Sequence, residues 1–427
     1  MKIPLAYGRA HLAVEFPDGR TTVIEPAHAA GLPDEKSALF AALDAPIASP
    51  PLRERVGADT RICITFTDIT RATPNERLIP WLLEYLETAG VRRDRLLLLN
   101  QLGTHRPNTR EELEGMLTSA VVESYRVLNH EPENPEALAE VGRMRDGVTP
   151  ALINKHALAA DLRIVTGFIE PHFFAGFSGG PKGIIPGVAG LQSVMASHQA
   201  AHIGDPRATF GQTEGNPLWE ELRDIATSAA VGPSFLLNVT LNDERGITGI
   251  FAGDLRAAHR RGCEFVRTTA MQPVDAPFEV VVTTNSGYPL DMNLYQGVKG
   301  MSAAARIVRE GGLIILVCEC GEGVPDRSPF DQILRGAACP EEILANVANW
   351  GQTRPEQWQA QIQALVQRKA RVLIYSSLPE ETVQAAHLGS CRDIAATVGD
   401  ELERRGPQAR VAVLPQGPLT IPYLAPG

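Results

Sequence analysis

The chain has 427 residues, 44% hydrophobic and 21% charged, an ordinary globular mix that excludes disordered and fibrous architectures. Lysine and arginine total 40 against 50 aspartates and glutamates, so the net charge is −10 and neither a nucleic-acid binder nor a surface for anionic lipid is expected. At ~100–200 residues per domain, the length predicts more than one domain.

Short apolar runs alternate with longer helical stretches, the pattern of an α/β protein with mainly parallel sheets. Strands are predicted at 61–66, 95–100, 161–166, 278–284, 313–318, 371–375 and 410–414. The helix after the first is signed by Thr73 as cap, Pro74 at the first position and Glu76 completing a capping box. Leu78, Ile79, Leu82, Leu83 and Leu86 give it an apolar face, and Gly90 ends it. Thr109 and Glu112 form a second capping box after the next strand. Runs 236–241 and 247–251 flank a polar turn and read as an antiparallel hairpin. The polar, proline-bearing stretch 268–277 reads as a linker, and a new βαβ unit opens at Phe278. The boundary therefore places 1–272 in an N-terminal α/β domain and 273–427 in a C-terminal α/β domain, with the last strand able to join either.

No apolar run is long enough to span a bilayer, and Arg9 and His11 break up any signal-peptide core. The six cysteines are scattered, with only Cys318 and Cys320 close together, which suits reduced thiols in a cytoplasm. Cys318 itself reads as a core residue.

In open α/β sheets, ligands gather beyond the carboxyl ends of the strands. The unusual polar residues collect at such positions: Asp68-Ile69-Thr70-Arg71, Gly103-Thr104-His105-Arg106-Pro107, and Glu170-Pro171-His172 leading into Phe177-Ser178-Gly179-Gly180-Pro181-Lys182-Gly183. A further loop runs Asp291-Met292-Asn293-Leu294-Tyr295-Gln296-Gly297-Val298-Lys299. Together they predict one site. The glycine-rich loop lacks the spacing of a Walker A motif, and no GxGxxG follows a strand. Its amides, hydroxyl and lysine suit either an anion nest or a tight turn. His105 and His172 lie in loops and read as functional candidates, or as exposed polar groups or turn hydrogen bonds. His198 follows Val194 and Met195 at helical spacing and reads as a core histidine, or with His202 as a metal-gripping pair. Arg71 and Lys299 are ambiguous alone, though a guanidinium fork suits a carboxylate; Tyr295 and Lys299 share one helical face with Gln296 adjacent, which also reads as a solvated face, and Trp358 alone reads as a packing residue.

The ordered set DITR, GTHRP, EPHFFAGFSGGPKGIIPG, SH and DMNLYQGVK, with Trp358, resembles the nickel-dependent lactate racemase family. Pro181 departs from that family's pattern beside the lysine, which bears on how a cofactor phosphate is held. The resemblance implies two α/β domains with the active site in the cleft between them. It implies a nickel pincer nucleotide, a pyridinium mononucleotide holding nickel through two sulfurs and one carbon, tethered to Lys182 and completed by His198 as metal ligand. It implies His105 and His172 as the acid–base pair, Arg71, Gln296 and Lys299 as substrate-orienting groups, and Tyr295 and Trp358 as pocket walls. Asp68, Ser178, Gly179 and Gly180 would line the ribose and phosphate. The expected reaction is racemisation of a small 2-hydroxy acid by proton-coupled hydride transfer, lactate first, with malate, an aromatic acid or a sugar acid as alternatives. Cofactor maturation enzymes would be partners. From other classes stand a zinc hydrolase using His105, His172 and His198, and a non-catalytic nucleotide-binding protein.

Overall fold

The computed structural model describes residues 1–325 and 327–425. It divides the chain into two compact units. The first comprises His28–Ser197 and Gly211–Arg267; the second comprises Met1–Ala27, His198–Phe210 and Thr268–Gly427.

The first unit is built on a six-stranded sheet in the order Ile247–Gly253, Ser234–Leu241, Leu162–Phe168, Ile62–Thr67, Leu96–Gln101 and Arg126–Asn129. Every pairing is parallel except that of Ile247–Gly253 with Ser234–Leu241, the hairpin expected from the sequence. The central strands are buried on both faces and read as continuous apolar runs, as parallel sheets require. Ile62, Ile64 and Phe66 share one core with Leu78, Ile79, Leu82, Leu83 and Leu86 of the helix Asn75–Thr88. Truncating any of these leucines to alanine costs ~2–5 kcal/mol in such a core.

The two capping boxes diverge. Thr109 accepts from the Glu112 amide and Glu112 reaches back to Thr109, as expected. The Thr73 box does not form: Pro74 is the cap, and the Thr73 hydroxyl is buried without a hydrogen bond. The cause is Asn75, whose side-chain amide donates to the Thr67 carbonyl at 2.8 Å and ties the helix start to the end of the strand.

The second unit holds a six-stranded, all-parallel sheet in the order Gly389–Ser390, Arg371–Tyr375, Val308–Val317, Phe278–Thr284, Val411–Leu414 and Thr21–Val23. The strand Val411–Leu414 thus lies between Phe278–Thr284 and a strand from the beginning of the chain. The hairpin Lys2–Tyr7 with Ala10–Glu15 buries Ile3 and Leu5 in the same core as Val280, Leu313 and Val398. The stretch read as a linker is ordered instead. It finishes the helix Leu255–Ala270 and forms the strand Met271–Val274, parallel to Ile421–Leu424. Pro273 is tolerated there because a two-stranded pairing leaves one strand edge unused. Cys318 is fully buried, as expected, and all six cysteines are free thiols.

Candidate active site

In the first unit, the loop after Ile62–Thr67 carries Asp68, only 2% exposed. Its Oδ1 accepts from the Thr70 amide at 3.1 Å and the Thr70 hydroxyl at 2.7 Å, a local turn that aims the other oxygen outward. That oxygen, Oδ2, meets His105 Nδ1. Burial pushes the Asp68 carboxyl up, but the hydrogen bond and charge of His105, with Thr70 and Arg71, hold it below the usual carboxylate range. An ionised Asp68 fixes the proton of His105 on Nδ1 and leaves Nε2 for chemistry. Arg71 is exposed on the same loop.

His172 sits in the short antiparallel pair Pro171–His172 with Gly176–Phe177. Its Nδ1 accepts from the Ala175 amide at 3.2 Å, and its ring meets Phe174 edge-on at 4.5 Å. Its Nε2 lies 3.2 Å from Lys182 Nζ. Burial, then the charge of Arg71, brings the Lys182 amine down from 10.5 to about 7.

The glycine-rich loop does not present a run of free amides. Ser178 N donates to the Glu170 carbonyl, Gly180 N to Asn238 Oδ1 at 2.8 Å, and Lys182 N to the Gly179 carbonyl. The Ser178 hydroxyl donates to the Phe168 carbonyl and accepts from the Glu170 amide, both at 2.9 Å, leaving it one lone pair. The glycines serve close approach: Gly180 has φ 55°, and a Cβ there would lie 2.5 Å from the His259 ring. Burial brings His259 down to about 4, so its neutral ring donates from Nε2 to the Ser178 carbonyl at 2.9 Å. Asn238 and His259, the two side chains that hold the lysine loop, were missed by the sequence reading. The available signal was a histidine on the buried face of the helix Leu255–Ala270.

In the second unit, Asn293 caps the helix Leu294–Ala305 through the Gln296 amide at 3.0 Å. Lys299 Nζ donates to Gln296 Oε1 at 2.8 Å, so these two groups form one polar pair on the helix. Gly297 allows the helix to lie against Cys318, whose sulfur would be 3.1 Å from a Cβ. Trp358, in the first turn of Gln357–Lys369, donates from Nε1 to the Tyr295 hydroxyl at 3.3 Å. Its ring lies 4.9 Å from that of His198, which is 7% exposed.

His198 is not on the apolar helix face expected for it. The helix Leu191–Ser197 ends one residue earlier, and His202 belongs to the separate turn Ala200–Ile203, so the two histidines do not share a helix. Among the described residues, no three His, Cys, Asp or Glu side chains are grouped to hold a metal. No such group supports the zinc-hydrolase reading. An amine brought near neutrality, as Lys182 is, suits a different case, in which a metal arrives with its own ligands on a group that the lysine holds covalently.

Residues 7–211 match the family model described as the lactate racemase N-terminal domain, and residues 274–421 match the lactate racemase C-terminal domain. The lactate racemase of Lactiplantibacillus plantarum is 35% identical over 387 residues, 90% of each chain. That of Thermoanaerobacterium thermosaccharolyticum is 33% identical over 423 residues, 97% of each. The solved structure of the lactate racemase apoprotein from the latter organism superimposes with a TM-score of 0.91 at 32% identity, covering 99% of this chain and 100% of that one. With both models matched in order along one chain and relatives alike over nearly its whole length, the protein belongs to the lactate racemase family, a family of isomerases.

Proposed function

We propose that the protein interconverts the D and L enantiomers of a small 2-hydroxy acid, lactate first, on a nickel pincer nucleotide tethered to Lys182 and completed by His198. The observation that carries this reading is the Lys182 amine, brought near neutrality beside His172 at 3.2 Å in a loop held by Asn238 and His259. An exposed lysine is almost wholly protonated at neutral pH and bonds to an acyl or thioacyl carbon far more slowly.

When bound, the nucleotide supplies a hydride acceptor and donor. The residues supply the rest. The hydrogen on the α-carbon is barely acidic, so it leaves more easily as hydride while a base takes the hydroxyl proton. The hydroxyl lies differently in the two enantiomers, so one imidazole serves each, His105 for one and His172 for the other. The base that took the proton in one direction is the acid in the reverse. Asp68 keeps His105 in the tautomer that presents Nε2. Arg71 and Lys299 pair with the substrate carboxylate, Gln296 orients Lys299, and Tyr295 and Trp358 limit the space. Maturation enzymes would deliver the nucleotide.

The test follows the α-hydrogen. A 2-hydroxy acid labelled with deuterium on the α-carbon and turned over by loaded enzyme in ordinary water should yield inverted product that retains the label. Rapid wash-out of deuterium would show a proton held by a histidine and overturn the reading.

A further inference from the structure

We propose that Lys182 and His172 guard one another in the unloaded chain: His172 keeps the Lys182 amine uncharged for acylation, and acylation in turn releases His172 from the lysine. The inference rests on the reading of Lys182 as the tether and deepens it.

The argument is one of donors and acceptors. The Ala175 amide donates to His172 Nδ1 at 3.2 Å, with the Phe174 amide also directed at it from 3.5 Å. A ring nitrogen that accepts from the backbone carries no proton, so a neutral His172 has its hydrogen on Nε2. That hydrogen faces Lys182 Nζ at 3.2 Å. An ammonium has three donors and no acceptor, so it would clash with an N–H, whereas a neutral amine offers its lone pair. The backbone of the 172–175 turn thereby selects the uncharged lysine. Burial disfavours the ammonium most, Arg71 disfavours it further and Glu170 favours it; His259, neutral and committed to the Ser178 carbonyl, adds no charge.

In the covalent step, the Nζ lone pair forms a bond to an activated acyl or thioacyl carbon and the bond from that carbon to its leaving group breaks. The amine proton departs with the leaving group, and His172 gains and loses none overall. The product nitrogen is an amide-type N–H with its lone pair delocalised, so it no longer accepts from His172 Nε2. The contact at 3.2 Å then sets two donors face to face, and the imidazole must turn away or change tautomer. Loading the lysine thus converts His172 from a partner of Lys182 into a group available for proton transfer.

The experiment uses the full unloaded chain and the N-hydroxysuccinimide ester of acetic acid, with acetylated peptides located by mass spectrometry across pH 5 to 10. Lys182 should be acetylated with a midpoint near 7, below the other lysines. In His172→Ala the midpoint should rise by about one unit, slowing acetylation at pH 7 about 5-fold. An unchanged or faster rate in that variant would overturn the inference. Should the variant not fold, wild-type chain suffices: carbethoxylation of His172 by diethyl pyrocarbonate should speed up several-fold once Lys182 is acetylated, and an unchanged rate would overturn it. Loaded protein whose added mass lies on another lysine would defeat the tether reading instead, a result distinguishable from either failure.

Discussion

The expected functional residues of the two units are held by different forces. In the first unit, Asp68, His105, His172 and Lys182 stand on loops beyond parallel strands, and each is fixed by a hydrogen bond to a charged group, a ring nitrogen or a backbone amide. In the second, rings do more of the holding: Trp358 lies against His198 and Tyr295 against Phe330, beside the Trp358–Tyr295 hydrogen bond at 3.3 Å. Loops can place a proton-carrying atom because a single polar contact sets both its direction and its tautomer. Ring contacts set shape and tolerate small displacements. The contrast predicts that substitutions in the first unit act on the chemical step, and that conservative ones in the second act on fit.

The largest effect should come from His105→Ala or His172→Ala in loaded enzyme, each lowering turnover by ~10²–10⁴-fold. Both directions of inversion must fall together, because enantiomers have equal free energies and one catalyst cannot move their equilibrium. Near wild-type turnover in either variant, measured by polarimetry from each pure enantiomer, would break the paired-base assignment.

Asp68→Asn should cost less, roughly 10–100-fold, since His105 is partly exposed; the same change in an enclosed serine-protease dyad costs about 10⁴. It also has a signature in stability. The folded-state carboxyl is held below 3.8, so the stability gained from its ionised form is present above that pH and lost as pH falls through the folded value. The difference in denaturation midpoint between wild type and Asp68→Asn should therefore shrink as pH drops below about 3.8. A difference that vanished at neutral pH would remove Asp68 as the residue that positions His105.

Smallest of all should be Tyr295→Phe. It deletes the acceptor of Trp358 Nε1 and leaves both rings, so about 0.5–1.5 kcal/mol of stability and a few-fold in KM should be lost. A collapse of turnover with unchanged KM would place the Tyr295 hydroxyl in the chemistry and erase the contrast between the units.

Periodicity and capping chemistry made much of the fold legible. The strands nearest the chemistry, the hairpin at 236–251 and the Thr109 box lie where local pattern puts them, since each depends on residues close in sequence. What stayed hidden depends on distant partners. Asn75 overrides a valid capping signal by reaching the Thr67 carbonyl. Thr21–Val23 is a strand only because Val411–Leu414 offers it an edge. At the candidate site, residue types were legible but pairings were not. The resemblance implies Asp68 as a ribose contact, and nothing in the local sequence announces that its carboxylate also meets His105 in space. The lysine loop reads as either a nest or a tight turn, and Asn238 and neighbouring carbonyls, which take up its amides, favour the turn. A hydrogen bond that satisfies an amide from another strand leaves no trace in the local pattern.

The hairpin Lys2–Tyr7 with Ala10–Glu15 has a consequence for synthesis. Its apolar face packs on Val280 and Leu313, which leave the ribosome some 250 residues or more later. At roughly 5–20 residues per second, that interval is on the order of tens of seconds. Throughout it, Ile3 and Leu5 have no sheet to cover, while the whole run 28–197 of the other unit is made and can fold. The nascent hairpin is thus an exposed amphipathic ribbon in waiting, and the cell must keep it from pairing elsewhere until the last strands of its own sheet arrive.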